Sequence, residues 1–200
     1  MGSTELIRRR MMGSGSSIDW ESIARGMVDG VTEFELTDFA VSSASNYRFY
    51  QREGLKSVVM DNTITSVGER CFGGCTNLES IVISSNLTSV GFGGFDQCTA
   101  LKNITIPSSV TSIGGYAFSN CRRLVYMIFE PTTPPTLAAN SVFSNTNNCP
   151  IYVPDVAVDA YKAANVWRTL ADRIKPISEL GGVILDYQPL SGYSAERSAA

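Results

Sequence analysis

The sequence predicts a mainly β solenoid with a short helix capping each end. Three observations lead to that prediction. A pattern of leucine, phenylalanine, glycine and cysteine recurs every 23 residues from Leu55 onward. Within each copy, apolar residues are spaced two apart, as in a strand with one buried face. The segments on either side of the copies place their apolar residues at helical spacing.

Three complete copies and a shortened fourth align without gaps. They read LKSVVMDNTITSVGERCFGGCTN, LESIVISSNLTSVGFGGFDQCTA, LKNITIPSSVTSIGGYAFSNCRR and LVYMIFEPTTPPTLAANSVF. Identical residues at a fixed period stack on their own images when a chain coils, so each coil adds one layer to a continuous core. The columns expected in that core begin with the leucine and strand positions Leu55, Leu78, Leu101, Leu124, Val58, Ile81, Ile104 and Met127.

The remaining columns are expected to shape the coil. The glycines allow its corners, and we interpret GFGGF and GGYAF as such corners instead of phosphate loops. Phenylalanine fills the wide end, as Phe72, Phe95 and Phe118 recur in one column. Cysteine in the next column behaves as a small buried hydrophobe. A disulfide or metal site between these cysteines is the alternative, and it is disfavoured because stacked Cβ vectors run parallel.

The pattern LxxIxIPxxVTSIGxxAFxxC, best matched by residues 101–121, resembles the BspA-like class of leucine-rich repeats from Bacteroidetes and their phages. The resemblance extends over roughly residues 31–178. It implies a leucine-rich-repeat solenoid of 23-residue BspA-like repeats. It also implies a surface or virion-associated binding protein and does not imply catalysis. The stretch CPIYVPDVAVDAYKAANVWRTLADRIKPI is similar to the terminal segment of many members, in which a strand, a short helix and an aromatic residue close the last coil.

The sequence divides into five parts. Residues 1–17 form a basic peptide with a Gly/Ser linker, and 18–30 an amphipathic helix that caps the first coil or docks a partner. The solenoid follows at 31–148, a strand and helix cap at 149–178, and a tail at 179–200. Within this second cap, Asp155 is the expected N-cap. Tyr161 and Trp167 are expected to cover the last coil, with ligand stacking as the alternative.

The proline-rich stretch PTTPPT interrupts the fourth copy. Because proline has no backbone N–H, it cannot donate to a sheet ladder. We therefore expect a rigid loop that leaves the regular hydrogen-bonded ladder at this point.

Composition argues against several functions. The chain of 200 residues has no histidine and a formal charge of −3, so it lacks Ser-His and Cys-His catalytic pairs and does not favour nucleic acid. We expect no enzyme activity, no cofactor and no metal. No apolar run suits membrane insertion and no signal peptide is seen, so we expect the virion as location, or the cell surface by a non-classical route.

The outward face of the strands is the candidate binding surface. Its charged column alternates in sign, which indicates either mutual stabilisation of a solvated face or a contact surface. An apolar stripe of β-branched residues runs beside it. Tyr126 and Ile128 are expected at its centre, because aromatic anchors dominate interface energies. The surface comprises Lys56, Glu79, Lys102, Val59, Val82, Thr105, Tyr126 and Ile128.

Two functions fit these observations. The first is a binding or adhesion module, on a phage appendage or a bacterial surface, that contacts a protein or glycan receptor. The second is a structural virion component, such as a minor capsid, fibre or baseplate protein, anchored through its N-terminus to other virion proteins. Self-association into a homo-oligomer is compatible with both. The anchor would insert apolar side chains into a partner and pair arginines with its carboxylates, using Leu6, Ile7, Met11, Arg8, Arg9 and Arg10.

Overall fold

The computed structural model describes residues 44–60 and 62–180, together with the backbone of residues 33–35. The predicted helix at 18–30, the anchor residues 6–11 and the tail beyond residue 180 lie outside these described residues. All structural statements below concern the described part of the chain.

Short parallel strands follow one another along the coils. Every strand pairing in the described residues is parallel, as expected when successive coils stack in one direction. The strands are β1 (Glu33–Glu35), β2 (Ser57–Val59), β3 (Ser66–Val67), β4 (Ser80–Val82), β5 (Ser89–Val90), β6 (Asn103–Ile106), β7 (Ser112–Ile113), β8 (Tyr126–Phe129), β9 (Thr136–Leu137), β10 (Ile151–Val153) and β11 (Ile174–Pro176).

Each of the four repeat copies contributes one strand to each of two faces of the solenoid. The first face contains β1, β2 and β4 in one sheet and β6, β8, β10 and β11 in the next, while the second face contains β3, β5, β7 and β9. Ser89 pairs with Ser112, and Ser112 pairs with Thr136. The distance along the chain between paired residues is therefore one residue longer in the last pair of strands than in the pair before it. The added residue falls between β8 and β9, where the proline-rich loop lies.

The predicted core columns are buried. Leu55, Leu78, Leu101 and Leu124 are each at most 2% exposed. Five phenylalanine rings form one continuous stack, with neighbouring centroids 5.1 to 5.8 Å apart and planes within 11° of parallel. Stacking of this kind contributes about 0.5–1.5 kcal/mol per pair beyond the burial itself. The stack extends the predicted column by one ring at each end and comprises Phe49, Phe72, Phe95, Phe118 and Phe143.

The cysteine column is a column of hydrogen-bond donors. Cys75, Cys98 and Cys121 are buried free thiols, which confirms that they pack without a disulfide. The Cys98 thiol donates to the carbonyl of Phe72, which lies in the preceding coil, at 3.2 Å. Cys75 and Cys121 donate in the same way to the carbonyls of Phe49 and Phe95, each in the coil before. The cysteines, which the sequence predicts as packing residues, therefore also donate hydrogen bonds to buried backbone carbonyls.

The last coil is closed by two aromatic side chains held on the proline-rich loop. Tyr161 is fully buried and donates its hydroxyl to the carbonyl of Pro131 at 2.9 Å. Trp167 is 1% exposed, and its indole N–H donates to the carbonyl of Pro135 at 2.7 Å. A proline carbonyl can accept although proline cannot donate. The loop that leaves the strand ladder thus anchors the covering rings by its carbonyls.

Short helices surround these rings, and strand β11 lies between the last two of them. Helix α1 spans Val158–Ala163, and 3₁₀ helices span Asn140–Phe143, Asp155–Ala157, Trp167–Arg173 and Ile177–Leu180. The prediction that Asp155 is an N-cap is wrong, because Pro154 holds that position. The Asp155 carboxylate instead accepts a hydrogen bond from the backbone N–H of Ser178 at 3.0 Å. It therefore ties the turn before α1 to the turn after β11.

We predict that Phe95→Ala destabilises the fold by about 3–5 kcal/mol, since it removes the middle ring of the stack and leaves a cavity between two neighbours. Glu79→Ala, on the solvated face of the same coil, should leave the free energy of unfolding nearly unchanged, because solvent screens its pairing with Lys102. Urea denaturation followed by far-UV circular dichroism measures both. Equal losses in the two variants would contradict a core built by stacked columns.

Candidate binding surface

The predicted charged column lies on the outward face of the first sheet. Lys56, Glu79 and Lys102 are exposed, and the Lys102 ammonium lies 2.7 Å from a carboxylate oxygen of Glu79. The hydrogen bond from Lys102 lowers the pKa of Glu79, and the charge of Lys56 acts in the same direction. Solvent screens both side chains, so their pairing contributes little to stability. The column has the character of a solvated face whose opposite charges attract one another.

The apolar stripe beside this column is largely covered. Val59, Val82 and Thr105 are half-buried, so none of them presents a whole side chain to a partner. Their neighbours in the strands, such as Val58 and Ile104, enter the core. β-branched residues at these positions are explained by the pleat of a sheet.

The expectation that Ile128 lies at the centre of an exposed surface is wrong. Ile128 is 1% exposed, although Met127 and Phe129 on either side of it point into the core. The cause is that the sheet continues past the repeats, because β10 follows β8 and places Tyr152 directly beside Ile128. The rings of Tyr152 and the half-buried Tyr126 then meet edge to face, with centroids 6.5 Å apart.

Exposed aromatic side chains lie instead at the corner beside the second face, after β5, after β7 and in the coil before β3. Tyr47, Phe92 and Tyr116 are 49%, 42% and 46% exposed. The rings of Phe92 and Tyr116 meet edge to face at 5.5 Å, and those of Tyr47 and Tyr50 at 5.6 Å. The guanidinium of Arg70, in the coil between the two pairs, lies 5.7 Å from the centre of the Phe92 ring. We call Tyr47, Tyr50, Arg70, Phe92 and Tyr116 the aromatic ladder.

The backbone under the aromatic ladder is fixed by close contact between coils. A Cβ on Gly91 would lie 2.8 Å from the carbonyl carbon of Gly68, and one on Gly114 would lie 2.6 Å from the backbone nitrogen of Phe92. Only glycine permits that approach. Coil-to-coil hydrogen bonds then form, for example from the Arg70 N–H to the carbonyl of Phe92 at 2.8 Å. The ladder is therefore carried by backbone that is hydrogen-bonded from coil to coil.

Bulky ladder residues adopt a backbone conformation that favours glycine. In four successive coils the same corner position has φ of 56° at Tyr47, 47° at Arg70, 59° at Gly93 and 58° at Tyr116. Glycine adopts this conformation without strain, whereas a residue with a Cβ pays about 1–2 kcal/mol. Positive φ recurs at a second corner of the same coils, so it is a feature of the coil geometry; the residues there are Gln51, Gln97 and Asn120.

Charges on the aromatic ladder are satisfied locally. The Arg70 guanidinium lies 3.8 Å from the carboxylate of Asp96, which is largely buried. The Tyr47 hydroxyl donates to the carboxylate of Glu69 at 2.7 Å, and this hydrogen bond raises the pKa of Tyr47. The ladder thus combines aromatic rings with polar groups that hold each other in place, namely Arg70 with Asp96 and Tyr47 with Glu69.

Groups with reactive chemistry are inaccessible in the described part of the chain. Burial raises the pKa of each of the five cysteine thiols, to about 12 for Cys75, so the nucleophilic thiolate does not form near neutral pH. Among residues 44–60 and 62–180, no three His, Cys, Asp or Glu side chains are arranged to hold a metal ion. Within those same ranges, no helix combines the length and hydropathy needed to cross a membrane.

The sequence pattern did not predict the aromatic ladder, because GFGGF and GGYAF were interpreted only as corners. A usable signal was present. Once the copies are aligned, Phe92 and Tyr116 fall within one position of each other beside the corner glycines. Large apolar residues beside a required glycine, where the chain must turn outward, are candidates for exposure. The degenerate first copy hid Tyr47 because it lacks the leucine and glycine landmarks.

Comparisons with known proteins identify relatives of the fold. A family model for the BspA type leucine rich repeat region matches residues 42–160 in six copies. A leucine-rich repeat protein of T. pallidum is 25% identical, with a TM-score of 0.51, over 66% of this chain and 56% of that one. A leucine rich cell surface protein of Faecalibacterium prausnitzii A2-165 is also 25% identical, with a TM-score of 0.55, over 70% of this chain and 34% of that one.

A third structure, a leucine-rich repeat protein of Bacteroides ovatus ATCC 8483, is 23% identical with a TM-score of 0.49, over 74% of this chain and 40% of that one. The chain spans between about a third and just over half of the length of these three proteins. No curated protein sequence matches it significantly.

We predict that the thiols do not react with Ellman's reagent in the folded protein, because they are buried and protonated. In guanidinium chloride without reductant, all five should react. Counting the released chromophore in the two conditions measures this. A count of three in denaturant would reveal a disulfide, and rapid reaction in buffer would contradict the burial of the column.

Proposed function

The chain belongs to the BspA-type leucine-rich repeat family, and we propose that it is a non-enzymatic module that binds a protein or glycan through a surface built by its coils. Leucine-rich repeat proteins are generally binding modules. The observation that carries the proposal is the aromatic ladder: exposed rings from successive coils, on a backbone that is hydrogen-bonded from coil to coil.

The aromatic ladder has the properties of a binding surface. Tyrosine and arginine are the side chains that most often dominate binding energy, because they offer large contact areas with few rotatable bonds. Since the coils already fix its backbone, little conformational entropy is lost when a partner binds.

We propose the bacterial cell surface or a phage appendage as the site of action. The cell surface is supported by the similarity to the leucine rich cell surface protein of F. prausnitzii. A location on a phage appendage is supported by the resemblance of the repeat pattern to proteins of Bacteroidetes and their phages. In either setting the module acts in adhesion, with the aromatic ladder facing its receptor.

A structural role in a virion is the second candidate. It rests on the peptide LIRRRMM, in which apolar residues flank three arginines ahead of a Gly/Ser stretch. Such a peptide can insert Leu6 and Ile7 into an assembly partner and pair Arg8, Arg9 and Arg10 with its carboxylates. The coils would then decorate the particle or oligomerise.

We predict that removing rings from the aromatic ladder weakens adhesion at least tenfold. The Tyr116→Asn variant removes one ring and keeps the fold, because asparagine tolerates positive φ better than tyrosine. The matched control is Val125→Asn, which removes an exposed apolar side chain from the strand face. Titration of fluorescently labelled chain onto intact bacteria and cultured epithelial cells measures both. Loss of binding in the control and retention in Tyr116→Asn would assign binding to the strand face instead.

For the second candidate, we predict that deleting residues 1–16 abolishes incorporation into phage particles. The melting temperature should stay nearly unchanged, because none of these residues belongs to a repeat column. Quantitative mass spectrometry of purified particles, with calorimetry of the free protein, tests this. Full occupancy of particles by the truncated chain would rule out an N-terminal anchor.

A further inference from the structure

We propose that the aromatic ladder binds a neutral, linear glycan that lies along the solenoid axis, across four successive coils. The inference rests on the proposed binding function and adds the chemical class of the partner. It depends on the shape of the ladder, on its charge and on the polar groups at its border.

The shape of the aromatic ladder suits a chain-like ligand. Tyr47, Arg70, Phe92 and Tyr116 come from consecutive coils, which are hydrogen-bonded to one another at this corner. Coils joined in this way are separated by about 4.8 Å, so three steps extend over about 14 Å. One step is comparable to the length of one sugar residue in an extended chain. A glycan along the axis therefore meets a new side chain of the ladder at each sugar.

Aromatic rings are suitable partners for sugars. The C–H groups on one face of a pyranose carry partial positive charge, and the face of an aromatic ring carries partial negative charge. In each ring pair of the aromatic ladder the planes are steeply inclined, by 61° for Phe92 and Tyr116 and 78° for Tyr47 and Tyr50. Because the two rings of a pair are not parallel, a sugar that contacts both rings meets them at different angles.

The charges of the aromatic ladder favour a neutral glycan over an anionic one. Arg70 is the cation within the ladder, and the carboxylate of Asp96 lies 3.8 Å from it. Glu69 lies beside Arg70 in the chain and adds a second negative charge. Because Arg70 and Asp96 offset each other, Glu69 leaves this group of three side chains with a net negative charge, which would repel a sulfated, phosphorylated or uronic-acid chain. A neutral sugar has no such penalty.

Hydrogen-bonding groups for sugar hydroxyls border the rings. The Tyr47 hydroxyl and the Glu69 carboxylate already hold each other at 2.7 Å, and the carboxylate keeps further lone pairs for a ligand. On the next coils, Asp96 is buried and accepts a hydrogen bond from the Asn120 amide at 3.1 Å, so it holds the corner and does not face a ligand. The Tyr47 hydroxyl and the Glu69 carboxylate, which fix each other, can recognise sugar hydroxyls by paired donation and acceptance.

A globular protein partner fits the aromatic ladder less well. A standard protein interface buries about 800 Å² on each partner around a central cluster of anchors. The ladder is a narrow row, one side chain wide except where Tyr50 packs beside Tyr47, and on one side it borders the corner where Gly91 and Gly114 bring the backbones together. A linear ligand uses the whole row, whereas a broad partner would contact the row and little beside it.

The experiment is isothermal titration calorimetry of the full chain with linear neutral oligosaccharides, namely gluco-, xylo-, manno- and galacto-oligosaccharides of increasing length. Oligogalacturonate and sulfated dextran fragments serve as anionic counterparts. We expect binding to at least one neutral series, with affinity that rises up to about four sugars and then levels off, because the ladder is about 14 Å long. Anionic chains should bind more weakly than neutral ones of equal length.

Variants connect any binding to the aromatic ladder. Phe92→Ser and Tyr116→Asn should each weaken the affinity at least tenfold, whereas Phe92→Tyr, which keeps the ring, and Val125→Asn, which lies on the strand face, should not. Melting temperatures confirm that every variant is folded. Neutral binding that is unchanged in both ladder variants, or binding only to anionic chains, would overturn the inference.

A cell-binding control separates this inference from the proposed function. Periodate oxidation of the target cells should abolish adhesion, and protease treatment should leave it intact. If protease abolishes adhesion, periodate leaves it intact and no oligosaccharide binds, the partner is a protein: the glycan inference fails and the binding function stands. If the chain binds neither cells nor oligosaccharides, both fail.

Discussion

The close, hydrogen-bonded stacking of one coil on the next is the constraint on which the whole structure depends. A coil of 23 residues cannot bury its apolar side chains alone, so it must place them against those of the next coil. Once the N–H of Arg70 donates to the carbonyl of Phe92, every other position in the two coils is brought into register as well. Leucines, phenylalanines and cysteines then meet their own images, and the core is a set of columns. The same register gives Cys98 a carbonyl to bind and keeps its thiol protonated.

The constraint also explains how the surface acquires its features. Corner glycines are required because coil backbones approach so closely there that a Cβ on Gly91 would collide with its neighbour. Residues beside those glycines cannot turn inward, so Phe92 and Tyr116 extend into solvent from a fixed backbone. A row of rings held in this way is prepared for a ligand before the ligand arrives. The strand face, by contrast, presents half-buried valines and screened charges.

Much of this architecture follows from the sequence, and the failures have physical reasons. The columns from Leu55 to Cys121 were predictable because a period reports directly on stacking. Burial of Ile128 was not, because it depends on β10 and β11, which continue the sheet with a sequence that no longer repeats. Asp155 was assigned by local helix rules, whereas its hydrogen bond goes to Ser178, far along the chain. The aromatic ladder could not be predicted from the 23-residue period, because the residues that form it differ from coil to coil.

Amide hydrogen exchange measured by NMR tests most directly whether the coils hold the aromatic ladder in place. The N–H groups of Tyr47, Arg70 and Gly93 each donate to the next coil, at 2.8, 2.8 and 2.9 Å. If the corner is as rigid as the core, these amides should be protected to the same degree as that of Phe72, which makes the equivalent bond at 2.8 Å. Exchange of the three corner amides at the rate of unprotected loops, while Phe72 stays protected, would show that the rings are carried on a mobile segment and would contradict a preformed binding surface.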